Sequence, residues 1–195
     1  MKATFALLLD HEVHNVVRKL AVEVHQTYHI GLADSQLPPH VSLKQPFLIP
    51  DLSAVEAYFD QLAKSIDPLT LTFPRIGGPG DAPVLWLEVE ETETLRQLHT
   101  RINQELAERF PETQAPFDGP AYHFHLTIAL GGASSSIYQS IVAELESQKV
   151  ALQAIARHLV LFYYDDDQIS LGSFLTYKIL PLGKTHVDLG DTHNE

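Results

Sequence analysis

The chain opens with a β-forming run over residues 4–9, after which the period of its apolar positions changes. From His11 onward Val13, Val16, Val17, Leu20, Val24 and Tyr28 fall on one helical stripe. Gly31 is the expected stop for this helix. Pro38 and Pro39 then force an extended entry into a strand expected over residues 40–47, closed by Pro50. Asp51 or Ser53 is placed to cap the next helix, and Ser53 with Glu56 fits a capping box. Its stripe is Val55, Phe59, Leu62 and Ile66, and residues 69–73 alternate as a strand.

Gly77-Gly78-Pro79-Gly80-Asp81 is a turn cluster and the best internal boundary. Beyond it the order repeats. A strand is expected over residues 83–89, then a helix over 92–110 striped by Leu95, Leu98, Ile102 and Leu106. A Pro-containing loop leads to a second His-bearing strand that starts near Tyr122 and ends at Gly131-Gly132. The Ser134–Ser136 run caps a helix carrying Ile137, Ile141 and Leu145. Residues 150–156 and 158–164 read as strand, either two or one long bent one, and 168–180 as a last strand able to form a hairpin with its predecessor. Asp165-Asp166-Asp167 is the turn between, read as solvated rather than as a cation site.

Each half thus reads strand, helix, His strand, helix, strand. The expected fold is α+β: two pseudo-symmetric lobes of antiparallel sheet with flanking helices around a central cleft. Residues 1–182 are expected to form one bilobal domain, with repeat halves at about 4–76 and 84–157 and a C-terminal hairpin at about 158–180. Residues 183–195 read as a loosely ordered tail.

The chemistry sits in the second strand of each half. His40-Val41-Ser42-Leu43 and His125-Leu126-Thr127-Ile128 have the same form: His, apolar, small hydroxyl, apolar. Alternation along a strand puts His40 with Ser42, and His125 with Thr127, on one face, and sends the apolar partners to the core. Lys44, two residues beyond Ser42 on the same strand, falls on the His40 face and could add a positive charge. Two facing imidazoles suit acid–base chemistry near neutral pH. Two hydroxyls and a lysine would grip a phosphate held between them. A phosphodiester fits this apparatus, and no metal is required in principle.

Composition narrows the classes. The hydrophobic fraction of 45% in 195 residues is that of a globular chain. The short apolar N-terminal run reads as a first strand rather than a signal peptide. No apolar stretch approaches the roughly 20 residues needed to span a bilayer. Cysteine is absent, which removes disulfides, thiolate metal sites and cysteine nucleophiles. A formal net charge of −12 argues against a surface that tracks long nucleic acid. A small phosphate ligand in a pocket remains compatible with it.

The paired motifs, with Pro39, Lys44 and Phe47 around the first, resemble those of the 2H phosphoesterase superfamily, which includes the 2′-5′ RNA ligase-like proteins and cyclic phosphodiesterases. The similarity in element order spans roughly residues 3–182. The resemblance implies a bilobal fold and a metal-independent phosphoesterase without cofactor. It would hydrolyse, or reversibly form, 2′,3′-cyclic or 2′-5′ phosphodiester bonds in RNA ends or small nucleotides. It makes His40 and His125 the catalytic pair, and Ser42 and Thr127, with Lys44, the phosphate-binding groups. The implied partner is a small nucleotide or an RNA terminus carrying a cyclic phosphate, and the protein is expected to be a cytoplasmic monomer. Two departures stand out. Ser42 replaces the commoner threonine, and the basic residue often found just after the second motif is absent, Ala129 and Leu130 standing there instead.

Two rival functions remain open at the level of sequence. One is a non-catalytic nucleotide- or RNA-end-binding module using the same cleft. The other is a metal-dependent hydrolase built on His40, His123 and His125, since His123 and His125 share a strand face. His11 with His14 and His25 with His29 have metal-compatible helical spacing but no supporting acidic pattern, and read as surface residues. The glycines at 77–80 lack the spacing of a phosphate loop. Phe117 and Tyr122 could stack on a base or simply pack at the core or rim.

Overall fold

The computed structural model describes residues 1–30, 32, 37–110, 113–146, 151–164 and 175–183. In the first half, β1 (Lys2–Leu8) leads to α1 (His11–Tyr28), β2 (His40–Ser42), the short β3 (Phe47–Leu48), α2 (Leu52–Ser65) and β4 (Leu69–Phe73). The second half runs β5 (Ile76–Gly77), β6 (Val84–Glu88), α3 (Glu93–Arg109), β7 (His125–Leu130), α4 (Ser135–Leu145) and β8 (Leu152–Ala156). β9 (His158–Tyr164) and β10 (Leu175–Pro181) follow. The expected turn at Asp165–Asp167 and most of the expected tail lie outside the described residues.

Local chemistry explains the boundaries. Asp10 caps α1 by accepting from the Val13 amide at 3.1 Å. The stripe buries Val13, Val17, Leu20, Ala21 and Val24. The stop comes before Gly31: His29 adopts the left-handed conformation, φ 59°, and its amide reaches back to the His25 carbonyl. Asp51 caps α2 through the Ser53 amide at 2.8 Å, so the cap lies upstream of the expected Ser53 capping box. Thr92 caps α3 through the Leu95 amide.

The halves are built on one plan. β1 pairs antiparallel with β2, with Ala6 opposite Ser42 and Leu8 opposite His40. β6 pairs antiparallel with β7, with Trp86 opposite Thr127 and Glu88 opposite His125. The last strand of each half, β4 and β8, pair with each other. The helices cross over: α1 packs against β7 and β8, while His99 of α3 binds the Leu43 carbonyl at 2.8 Å just beyond β2. A single large hydrophobic core spans both halves, including Phe5, Val41, Leu43, Phe59, Leu126 and Ile141. Each of these large aliphatic or aromatic side chains contributes about 1.5–3 kcal/mol by leaving water. Of the two readings of residues 150–164 the structure has two strands: β8 and β9 lie in different sheets and are separated at Arg157. β9 extends the first lobe by pairing along the whole of β1, and β10 pairs with β9.

Candidate active site

β2 and β7 lie close together without sharing a sheet. The burial along β2 alternates as the motif requires, with His40 and Ser42 half-buried and Val41 buried between them. On β7, His125 and Thr127 are half-buried while Leu126 and Ile128 are buried. The apolar positions are held by the shared core, so both His/hydroxyl faces are turned away from it. His40 and Thr127, one from each half, line a single cleft with Arg18, Leu37, Pro38, Pro39 and Ile128.

The two imidazoles are oriented by the same device. His40 Nδ1 lies 2.9 Å from the Pro38 carbonyl, and His125 Nδ1 lies 3.0 Å from the His123 carbonyl. A carbonyl only accepts, so each Nδ1 carries hydrogen and each Nε2 keeps its lone pair. In both motifs the acceptor lies two residues upstream, so the backbone entering the strand fixes tautomer and ring plane together. The rings are near enough that charge on His125 disfavours charge on His40.

Their surroundings differ. His40 sits edge-on to Phe162 of β9, with ring centroids 4.6 Å apart. Burial, offset in part by the Pro38 carbonyl, pushes its pKa down to about 4, with smaller lowering from His125 and Arg18. His125 rests on the indole of Trp86, centroids 4.5 Å apart. Its pKa is also lowered, chiefly by burial, but the His123 carbonyl and the Glu88 carboxylate oppose that shift.

Lys44 departs from expectation. β2 ends at Ser42 and the chain bends at Leu43 and Lys44, so strand alternation does not carry Lys44 to the His40 face. Its side chain is 1% exposed and paired with Asp118, which also accepts from the Gln45 amide at 3.1 Å. Lys44 therefore braces the loop before β7 instead of facing the cleft. The cation that does line the cleft is Arg18 of α1, whose guanidinium donates to the Leu37 carbonyl. Sequence reasoning missed it because no motif surrounds it; only the packing of α1 on β7 brings it to the histidines.

His123 is not joined with the other two as a metal ligand. Its Nε2 lies 2.9 Å from Glu88, and among the described residues no three His, Asp or Glu side chains converge as a metal site would require. Tyr122 is buried, stacks on His99 and donates to the Ser42 carbonyl at 3.0 Å, so it serves the core. Phe117 stands 82% exposed with φ 70°. Among the described residues no helix is long and apolar enough to cross a membrane.

The comparisons with known proteins bear on the family and the fold. The profile of the 2′-5′ RNA ligase superfamily matches residues 10–168. A Bacillus licheniformis protein named as a candidate phosphoesterase is 27% identical over 154 residues, covering 75% of this chain and 82% of its own. A Bacillus pumilus protein of the same description is 27% identical over 153 residues, covering 76% and 81%. Among solved structures, Escherichia coli LigT complexed with 3′-AMP aligns with a TM-score of 0.57 at 18% identity, over 93% of this chain and 97% of that one. The Thermus thermophilus protein TT0787 aligns with a TM-score of 0.60 at 13% identity, over 95% and 100%. With the profile covering most of its length and two His-x-Ser/Thr strands set on one cleft, the chain belongs to the 2′-5′ RNA ligase superfamily of 2H phosphoesterases.

Proposed function

We propose that the protein is a metal-independent phosphoesterase acting on 2′,3′-cyclic or 2′-5′ phosphodiester bonds of RNA ends or small nucleotides. His40 and His125 act as its acid–base pair. One observation carries the reading: both imidazoles spend Nδ1–H on the carbonyl two residues upstream, which leaves both Nε2 atoms to exchange protons with one bound substrate, one taking a proton and the other, when protonated, giving one. In hydrolysis of a cyclic phosphate, one neutral ring takes a proton from water as its oxygen bonds to phosphorus. The other ring, protonated, gives its proton to the ribose oxygen as that P–O bond breaks. A phosphomonoester and a free hydroxyl result, and the pair returns to its starting state after one proton exchange with solvent. Thr127 and Ser42 hydrogen-bond the non-bridging oxygens, and Arg18 supplies the positive charge that the second motif lacks. The small-nucleotide class is supported by LigT, whose structures hold 3′-AMP, ATP and NADP+.

The test is a panel of 2′,3′-cyclic nucleotides and 2′-5′ dinucleotides incubated with the protein under EDTA. Turnover that persists in chelator and disappears in His40→Ala and His125→Ala is the expected result. Nucleotide binding without turnover, or activity restored only by added metal, would contradict it.

A further inference from the structure

The two lobes place different residues opposite their histidines. Opposite His40 stands Leu8, and opposite His125 stands Glu88. Directly opposed residues of an antiparallel pair share a face, with Cβ atoms about 4.5–5.5 Å apart. The Glu88 carboxylate is held at both oxygens: Trp86 Nε1 donates to one at 2.8 Å, and His123 Nε2 reaches the other at 2.9 Å. The third wall is Gly77 of β5, where any Cβ would collide with that carboxylate. A side chain at 77 would therefore displace the carboxylate from this position. A fixed, largely covered carboxylate beside the indole that floors His125 is a local construction with no counterpart in the first lobe among the described residues.

We infer that Glu88 is a positioning residue that makes His125 the proton donor of the pair and leaves His40 the proton acceptor. The inference rests on the acid–base reading above and adds a direction to it. The charged and titratable neighbours agree. His125 faces Glu88 from β6, His123 from the segment just before β7 and His40 from β2. His40 faces Arg18 from α1 and His125 from β7, with Phe162 and Leu8 as apolar walls; His158 lies further off, across Leu8 on β9. The first ring has the Arg18 guanidinium and hydrocarbon around it, which favour its neutral form. The second has a carboxylate, which favours the imidazolium.

The test is a pH titration of both imidazoles by isotope-edited NMR in wild type, Glu88→Gln and Glu88→Asp. Glu88→Gln keeps an oxygen to accept from Trp86 and removes the charge. In it the His125 midpoint should fall, by more than the coupled His40 midpoint moves, and the alkaline limb of kcat/KM should move to lower pH. Glu88→Asp should restore the His125 midpoint toward wild type. An unchanged His125 midpoint in Glu88→Gln, or equal loss in Gln and Asp variants, would overturn the inference. The titration reads the coupling whether or not any substrate is turned over, so failure of the proposed activity leaves a separate signature: normal midpoints with no hydrolysis.

Discussion

The two lobes carry the same strand motif on the same backbone plan, yet their histidines live in different chemical surroundings. Both rings are fixed by a carbonyl two residues upstream, a feature the backbone supplies equally to each copy. The partner strand is where the copies diverge: Ala6 and Leu8 beside the first motif, Trp86 and Glu88 beside the second. The residues after the motif diverge as well. The first runs into a buried Lys44–Asp118 pair, while the second runs into Ala129 and Leu130. Duplicated geometry brings the two motif strands side by side, with His40 of one and Thr127 of the other lining one cleft, and unequal neighbours make the two imidazoles inequivalent. A pair in which one ring gives a proton and the other takes one needs both properties.

The largest expected effect removes one member of the pair. His40→Ala and His125→Ala should each lower kcat by about 10²–10⁴-fold, the usual worth of a positioned acid or base. Circular dichroism should stay that of wild type, because neither ring belongs to the shared core. If one variant kept full activity, the lobes would not be cooperating.

The next effect is on stability and concerns the pair that ties the end of the first motif to the loop before β7. Asp118→Ala leaves the Lys44 ammonium buried without its partner, and denaturant unfolding should show a loss of about 3–5 kcal/mol. A loss below about 1 kcal/mol, the ordinary worth of an exposed pair, would mean that Lys44 finds solvent or another acceptor. Smaller again, Arg18→Ala should weaken inorganic phosphate binding and lower kcat/KM by about 10–100-fold, the worth of one hydrogen bond to a charged group. Arg18→Lys should recover part of it.

The smallest effect is a pH dependence of folding set by His40. Its folded pKa of about 4 lies below the ordinary value of 6.5, so the unfolded chain binds the extra proton between those limits. Its stabilising contribution is complete above pH 6.5 and is lost as pH falls toward 4. Allowing for partial exposure, the loss is on the order of 2 kcal/mol. His40→Gln should flatten that part of the stability curve. An equally steep curve in the variant would put the titration elsewhere.

Much of this was legible in the chain. Apolar period and turn residues suffice for the order of elements, and β4 matches its expected range of 69–73. The motif faces follow from alternation over three residues, a span too short for a bend to spoil. Lys44 fails the same reasoning because the strand ends two residues earlier, and strand ends depend on what the partner strand offers. Arg18 and Glu88 were illegible for a related reason. Each becomes part of the site through packing between distant segments, α1 on β7 and β6 beside β7. The repeat did hold one usable signal for Glu88: it is a carboxylate where the corresponding position of the first half, Leu8, is apolar. The place where α1 stops was set by His29 in a left-handed conformation, which period counting does not reveal.

The central claim is that His40 and His125 hold one phosphate between them. It is tested most directly by following both imidazoles by NMR while inorganic phosphate is added to the wild-type protein. The Nε2 resonances of the two rings should move together along one saturation curve. Movement of only one ring, or two curves with different midpoints, would contradict a shared anion site.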